Sequence, residues 1–238
     1  MRRTLFVPSR FLAGKLGEIG CPSEKLHVVP CGVDVSRFQP TVREVGRTVA
    51  VGRLVEKKAP QLTIEAFALI AHRFPEARLD MIGDGPLRQR CAALIDRLKL
   101  GNRVTLHGAQ TSERVAALMQ KASLFVQHSV TAATGDVESF GVSLVEAMAA
   151  AVPVVATRHN GFVDTVAHGV TGLLVAEHDV DGMADAMAQV LADPIRAATM
   201  GAAGRRRVLD HFTQDQSHDR LRVIMGLPVG SSVRRARA

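Results

Sequence analysis

A doubly wound α/β fold, Rossmann-like, with one parallel sheet covered by helices on both faces, is the architecture the sequence predicts. Three observations carry it. Short β-rich runs alternate with helical patterns over most of the chain. Apolar residues make up 47% of the sequence, enough to cover both faces of a sheet. The length of 238 residues suits one large domain with extensions. Strand–helix repetition makes parallel pairing through right-handed crossovers the simplest solution. Ligands of such sheets lie at the C-terminal ends of the strands.

Residues 1–45 fall outside the repeat. "HVVPCGVDVSRFQP" (27–40) holds one short strand followed by turn residues, Pro30, Gly32, Asp34 and Pro40, and reads as a linker. The repeat starts with "RTVAVG" (47–52) as a strand and "QLTIEAFALIAHRF" (61–74) as a helix. "ARLDMIG" (77–83) is the next strand. "PLRQRCAALIDRLKL" (86–100) places Leu87, Cys91, Leu94, Ile95 and Leu98 on one helical face. Further strands are expected at 103–108, 123–128, 153–157 and 172–175, with helical patterns between them and another over roughly 181–191. The domain therefore spans 46–193. Helices follow over 194–226, with Arg205, Arg206 and Arg207 on an exposed face. The Gly/Ser/Arg-rich end, 227–238, is expected to be a disordered basic tail. No internal repeat is present.

Composition narrows the function. Trp and Tyr are absent and nine Phe are the only aromatic residues, which argues against a stacking platform and a nucleic-acid partner. A net charge of +7 suits anionic partners such as nucleotides, nucleic acid or acidic lipid, although Arg234, Arg235 and Arg237 supply part of it. Cys21, Cys31 and Cys91 are odd in number and lack zinc-type spacing, so a reducing, cytoplasmic setting is expected, with Cys91 in the core. The basic start has too short an apolar run for a signal peptide, and no stretch is long enough for a membrane span. Nine His show no metal-ligand spacing; His107 and His128 end predicted strands, where they either border a site or are ordinary polar groups.

Three strand–helix junctions could hold an anion. A third glycine is missing from "GDGPLR" (83–88), so the dinucleotide fingerprint is absent and a dinucleotide-dependent oxidoreductase is disfavoured; a P-loop is absent too. In "VGRLVEKKAPQ" (51–61), Gly52 ends a strand, and Arg53 and Lys58 could converge on one anion as fork and point charge, or line a solvated basic loop. In "GDGPL", Gly83 and Gly85 let backbone approach a ligand or simply make a tight turn, with Pro86 in the first helical turn. In "ESFGVSLVEAMAAA", a helix starts near Phe140–Ser143, where free amides of Phe140, Gly141 and Val142 suit an anion. Glu138 precedes that helix and Glu146 lies inside it. Carboxylates suit hydroxyls rather than phosphate, so the combination suggests a nucleotide-sugar. Alternatively, Ser143 and Glu146 form a capping box and Glu138 is an exposed loop acid.

Together these junctions resemble the donor-binding, C-terminal lobe of a GT-B glycosyltransferase of the retaining family 4. The matching elements occur in the family's order: "VPCGVDVSRFQP", "VGRLVEKKAP", "MIGDGPL", "VTLHG", the E-x7-E element "ESFGVSLVE", "EAMAAAVPVVAT" and "GFVDTVAHGVTGLLV". They span about residues 5–225. The resemblance implies that Arg53 and Lys58 neutralise a donor diphosphate, that Glu146 holds ribose hydroxyls and that Glu138 binds the transferred sugar. Amides of Phe140, Gly141 and Val142 would lie near sugar and phosphate, with the loop after "VTLHG" by the base. It implies a UDP-, GDP- or ADP-sugar as substrate, no cofactor and no metal.

Some positions depart from the family pattern. Ala59 stands where glycine commonly follows the lysine, Val152 replaces a glycine before Pro153, and Asp164 replaces a glutamate. Residues 1–45 are expected to be a remnant of the N-terminal lobe plus the interdomain linker. The expected activity is hexosyl transfer with retention to a glycan, lipid or small molecule, in the cytoplasm or peripheral to the membrane. A separate acceptor-binding chain or a homo-oligomer would then complete the cleft. The alternative is a nucleotide-sugar-binding module, or truncated remnant, without transfer activity.

Overall fold

The computed structural model describes residues 4–228, so most of the expected basic tail lies outside the described residues. Two sheets are present among them. The small one pairs β1 (Leu5–Val7) with β2 (Leu26–Val28) in parallel, joined by α1 (Arg10–Glu18), so residues 1–45 contain a complete strand–helix–strand unit before the linker. The main sheet has six parallel strands, β3 (Arg47–Val51), β4 (Arg78–Ile82), β5 (Val104–Gly108), β6 (Leu124–Gln127), β7 (Val154–Thr157) and β8 (Gly172–Val175). Its spatial order is β5-β4-β3-β6-β7-β8. The chain winds outward from β3 in one direction and then returns to add β6 on its other side, so a topological switch point lies between β3 and β6.

Period-2 alternation explains why the sheet is covered twice. Leu79 and Met81 of β4, Leu124 and Val126 of β6, and Val155 of β7 face a core built with α2 (Pro60–Ala71), α3 (Arg88–Arg97) and α7 (Val180–Ala192). Val49, Ile82, Phe125, Val154 and Ala156 face the opposite core, built with α4 (Ser112–Gln120), α5 (Val142–Ala149) and α8 (Pro194–His211). Strands buried on both faces read as continuous apolar runs, which is why "LFV" and "PVVA" carry no polar alternation. Phe67, Phe125 and Phe162 are fully buried. Each contributes about 1.5–3 kcal/mol by leaving water.

Two details correct the sequence reading. The predicted helix at 86–100 begins at Arg88, so Pro86 precedes it rather than starting its first turn. The exposed arginine face after residue 194 is only partly exposed. Arg205 donates to the carbonyls of Phe38 and Ala149, and Arg207 donates to those of Asp164 and Thr165, leaving Arg206 in solvent. Arg43 in the linker similarly donates to Ala122 and Ala151. Arg43 and Arg205 thus satisfy carbonyls at the C-terminal end of α5, where helix geometry leaves them without partners. The final helix, α9 (Gln214–Ile224), starts in a capping box at Thr213 and binds the linker through Val33 and Pro30.

Candidate functional site

Loops from the C-terminal ends of β3, β4, β6 and β7 meet at the switch point. Gly52, Arg53, Lys58, Gln127 and His128 line a cleft there. After β3 the chain makes a single 3-10 turn, Glu56–Lys58, and its three side chains hold the loop after β6. Glu56 accepts from the Ala133 amide at 2.8 Å, Lys57 donates to Asp136 at 2.9 Å, and Lys58 meets Glu138 at 2.5 Å. Sequence-distant acids and bases are therefore one constellation.

The Lys58–Glu138 pair is largely shielded, with side chains 15% and 21% exposed. Burial pushes the Lys58 ammonium below its usual range, and the Glu138 charge opposes that shift. For Glu138, burial would raise the carboxyl, but the charge and hydrogen bond of Lys58, aided by Lys57 and a backbone bond from Phe140, outweigh it and hold it low. Each group thus favours the charged form of the other. Arg53 is exposed and forms no ion pair among the described residues, yet its charge reaches Lys58. Both cations border the same cleft.

The second carboxylate behaves differently. α5 begins at Val142 after Gly141, whose left-handed φ of 79° places the turn, and no side chain caps its first amides. A Cβ on Gly141 would meet the Phe162 ring at 2.5 Å. The capping box does not form: Ser143 Oγ donates instead to Gln127 Oε1 at 2.8 Å, tying α5 to β6. Glu146, relieved of that role, is half-buried, and burial raises its carboxyl while Arg37 counteracts. Its carboxylate makes no hydrogen bond or ion pair among the described residues. Phe140 is buried against Phe212, whereas Val142 is exposed.

Internal packing accounts for two of the glycines. Gly83 has φ 134°, and a Cβ there would collide with the Gly52 carbonyl; one on Gly85 would strike the Leu54 carbonyl at 2.5 Å. The tight-turn reading explains both. Gly52 is different, because a Cβ there would meet only the flexible Lys58 chain, at 3.5 Å. No packing contact requires glycine there.

Four side chains escaped the sequence reading or were left open by it. His159 Nε2 accepts from the Glu138 amide at 3.0 Å, so its proton resides on Nδ1, which meets Glu177 at 2.5 Å. Glu177 also accepts from the Thr131 amide at 2.8 Å. This chain of bonds aims the Glu138 loop from β7 and β8. The available signal was position, since both residues follow strand ends. His128 is fully buried and lines the cleft; burial first, then His178, pushes its imidazole down to about 4. Nε2 accepts from the His178 amide at 3.1 Å, leaving Nδ1 without a partner. His107 instead turns back to Asp80 at 2.5 Å, away from the cleft lining.

Comparison with known proteins shows the family and the fold. Residues 36–207 match the family model described as glycosyl transferases group 1. The chain is 37% identical over 192 residues to WcaL of Escherichia coli, a candidate colanic acid biosynthesis glycosyltransferase, covering 79% of this chain and 47% of that one. It is 33% identical over 217 residues to a GDP-mannose-dependent alpha-(1-6)-phosphatidylinositol monomannoside mannosyltransferase of Mycolicibacterium smegmatis, covering 86% and 57%. The chain thus spans about half the length of the curated relatives it matches. Among solved structures, Anabaena HepE in complex with UDP and glucose superposes with a TM-score of 0.85 at 22% identity, covering 95% of this chain and 63% of HepE. That likeness shows a shared GT-B fold.

Proposed function

From the premise that this chain belongs to the group 1 glycosyl transferases, we propose that it binds a nucleotide-sugar and serves hexosyl transfer with retention, in the manner of family 4. The supporting observation is the Lys58–Glu138 pair, set beside the uncapped start of α5 and the unpartnered Glu146. Arg53 and Lys58 receive the diphosphate, with the amides of Phe140, Gly141 and Val142 near it. Glu146 accepts ribose hydroxyls one turn into the helix. Glu138 accepts hydroxyls of the sugar. Gly52 leaves room for the phosphates, and Gly83 and Gly85 hold the neighbouring loop close behind it.

In the reaction, the bond from the anomeric carbon to the diphosphate oxygen breaks, and its electron pair stays on the diphosphate. The acceptor hydroxyl oxygen bonds to that carbon and its proton passes to the diphosphate. Arg53, Lys58 and the helix amides stabilise charge that grows on the leaving group, so we assign no metal to the step. Glu138 orients the sugar and stabilises its positive charge, with no covalent intermediate required. UDP-glucose is bound by a structural neighbour and GDP-mannose names a relative's donor, so the base is the first quantity to determine.

Calorimetric titration of the 238-residue chain with UDP, GDP and ADP, in chelator, tests the reading. One of them is expected to bind, and Glu146→Ala and Lys58→Ala to weaken it about tenfold or more, the scale of one lost charge-assisted hydrogen bond. Absence of heat with all three would sink the donor site.

A further inference from the structure

We propose that a second cavity binds the phosphate of a phosphate-bearing acceptor. The cavity measures about 420 Å³ and lies where the first strand–helix unit meets α8 and α9. Four basic side chains line it, Arg10, Arg207, His211 and Arg220, against one acid, Asp164. Asp164 is already engaged, since its Oδ2 accepts from the Arg10 amide at 2.9 Å and fixes the start of α1.

Pairing elsewhere on the same helices shows that this excess is local. Arg206 pairs with Asp210 and Arg222 with Asp219, both off the cavity lining. Arg10, Arg207 and Arg220 form no ion pair among the described residues. Arg207 is held rigidly: it donates to the Thr165 and Asp164 carbonyls, both at 2.8 Å, and lies 5.7 Å over the Phe212 ring. Neutral carbonyls orient its guanidinium without cancelling its charge. Three guanidiniums around one concave space suit phosphate, whose oxygens accept from several forks, better than a carboxylate, which one fork saturates.

Phe140 links this cavity to the donor site. Phe140 lines the cavity while Glu138, two residues earlier, pairs with Lys58. A ligand anchored here by phosphate would present its hydroxyls beside the loop that holds the sugar. The assignment of this ligand as acceptor rests on the transfer reading; the anion site itself does not. The phosphate could belong to a free phosphomonoester or to a lipid headgroup.

The probes are sn-glycerol 3-phosphate, glycerol, and vesicles of phosphatidylcholine with or without phosphatidylglycerol. Calorimetry is expected to give binding of glycerol 3-phosphate but not glycerol, weakened about tenfold by Arg220→Gln and again by Arg10→Gln. Lys58→Ala and Arg206→Gln should leave it unchanged. If the site reads a lipid, co-sedimentation with phosphatidylglycerol vesicles, lost in Arg220→Gln, supports it even where the small ester binds weakly. Equal binding by wild type, Arg220→Gln and Arg10→Gln overturns the proposal, as does no binding to either the ester or the acidic vesicles. Loss of nucleoside diphosphate binding in the wild type would refute the donor reading separately and leave the cavity measurement standing.

Discussion

Glu138 and Glu146 lie eight positions apart and have opposite electrostatic settings. Glu138 is neutralised by Lys58 before any ligand arrives, so a donor diphosphate must compete with that carboxylate for the ammonium. Glu138→Gln removes the competitor and a like charge facing the phosphates. The nucleoside diphosphate is therefore expected to bind about threefold to tenfold tighter to this variant, up to about 1.4 kcal/mol, while Glu146→Ala weakens it; calorimetry giving weaker binding to both would show that Glu138 serves the nucleotide and not the sugar. His128 gives a stability prediction. Its imidazole titrates near 4 folded against 6.5 unfolded, so its contribution is complete above pH 6.5 and is lost as pH falls towards 4. Between pH 7.5 and 5 the loss is about 2 kcal/mol. Urea melts at the two pH values should show it, and His128→Gln should flatten the slope by about that amount. These residue types were legible in the sequence as chemistry. Their pairing was not, because Lys58 and Glu138 meet only after β6 has been placed beside β3, and His159 and Glu177 reach the site from two further strands.

Helix ends decide how well the elements are made. α5 closes in a Schellman arrangement: the amide of Ala151 bonds to Met148 and that of Val152 to Ala147, with Ala151 left-handed at φ 58°. The position before Pro153 whose backbone favours glycine is thus Ala151, because the motif demands a positive φ one residue before Val152. Ala59, between the 3-10 turn and α2, is likewise left-handed at φ 39°. Glycine would suit that backbone, and alanine there carries a steric cost of about 1–2 kcal/mol. Ala151→Gly and Ala59→Gly should each stabilise the chain by up to about 1 kcal/mol, part of the relief being offset by unfolded-state entropy. That corresponds to roughly 2–4 °C in melting temperature. Calorimetric scans in which either variant melts lower would show that the surroundings impose the strain differently. Element positions in the main sheet followed from hydrophobic period, since strand and helix repeats are local properties, whereas β1 and α1 were not read from it. The capping box that the local pattern offered as an alternative at Ser143 and Glu146 does not form, because the Ser143 hydroxyl has a non-local acceptor, Gln127, which no local pattern contains.

At the scale of the molecule, the order of the strands places the site, and that order is the least local property of all. The β3–β4 seam is registered over five residue pairs, Arg47–Arg78 to Val51–Ile82, whereas the β3–β6 seam has two, Thr48–Leu124 and Val49–Phe125. The strands at the switch point therefore share less of their length, and their loops diverge into the cleft that Gly52 and His128 line. Alternating strands and helices foretold parallel pairing without saying which strand would follow β3 on its other side. A nucleotide-sized ligand at this seam would bridge the loop after β3, held in the half carrying β4 and β5, to α5, held in the half carrying β7 and β8. Such a bridge makes a spatially defined prediction for hydrogen exchange. Saturating nucleoside diphosphate should slow exchange at the amides of Gly52–Leu54 and Phe140–Ser143, and leave α1, on the separate two-stranded unit, unchanged. The total stabilisation should approach about 2.7 kcal/mol at a ligand concentration of 100 Kd. Protection confined to the β3 loop would mean that the ligand touches only Arg53 and Lys58 and that α5 takes no part. Protection confined to α1 and α9 would move the nucleotide to the second cavity and overturn the placement at the switch point.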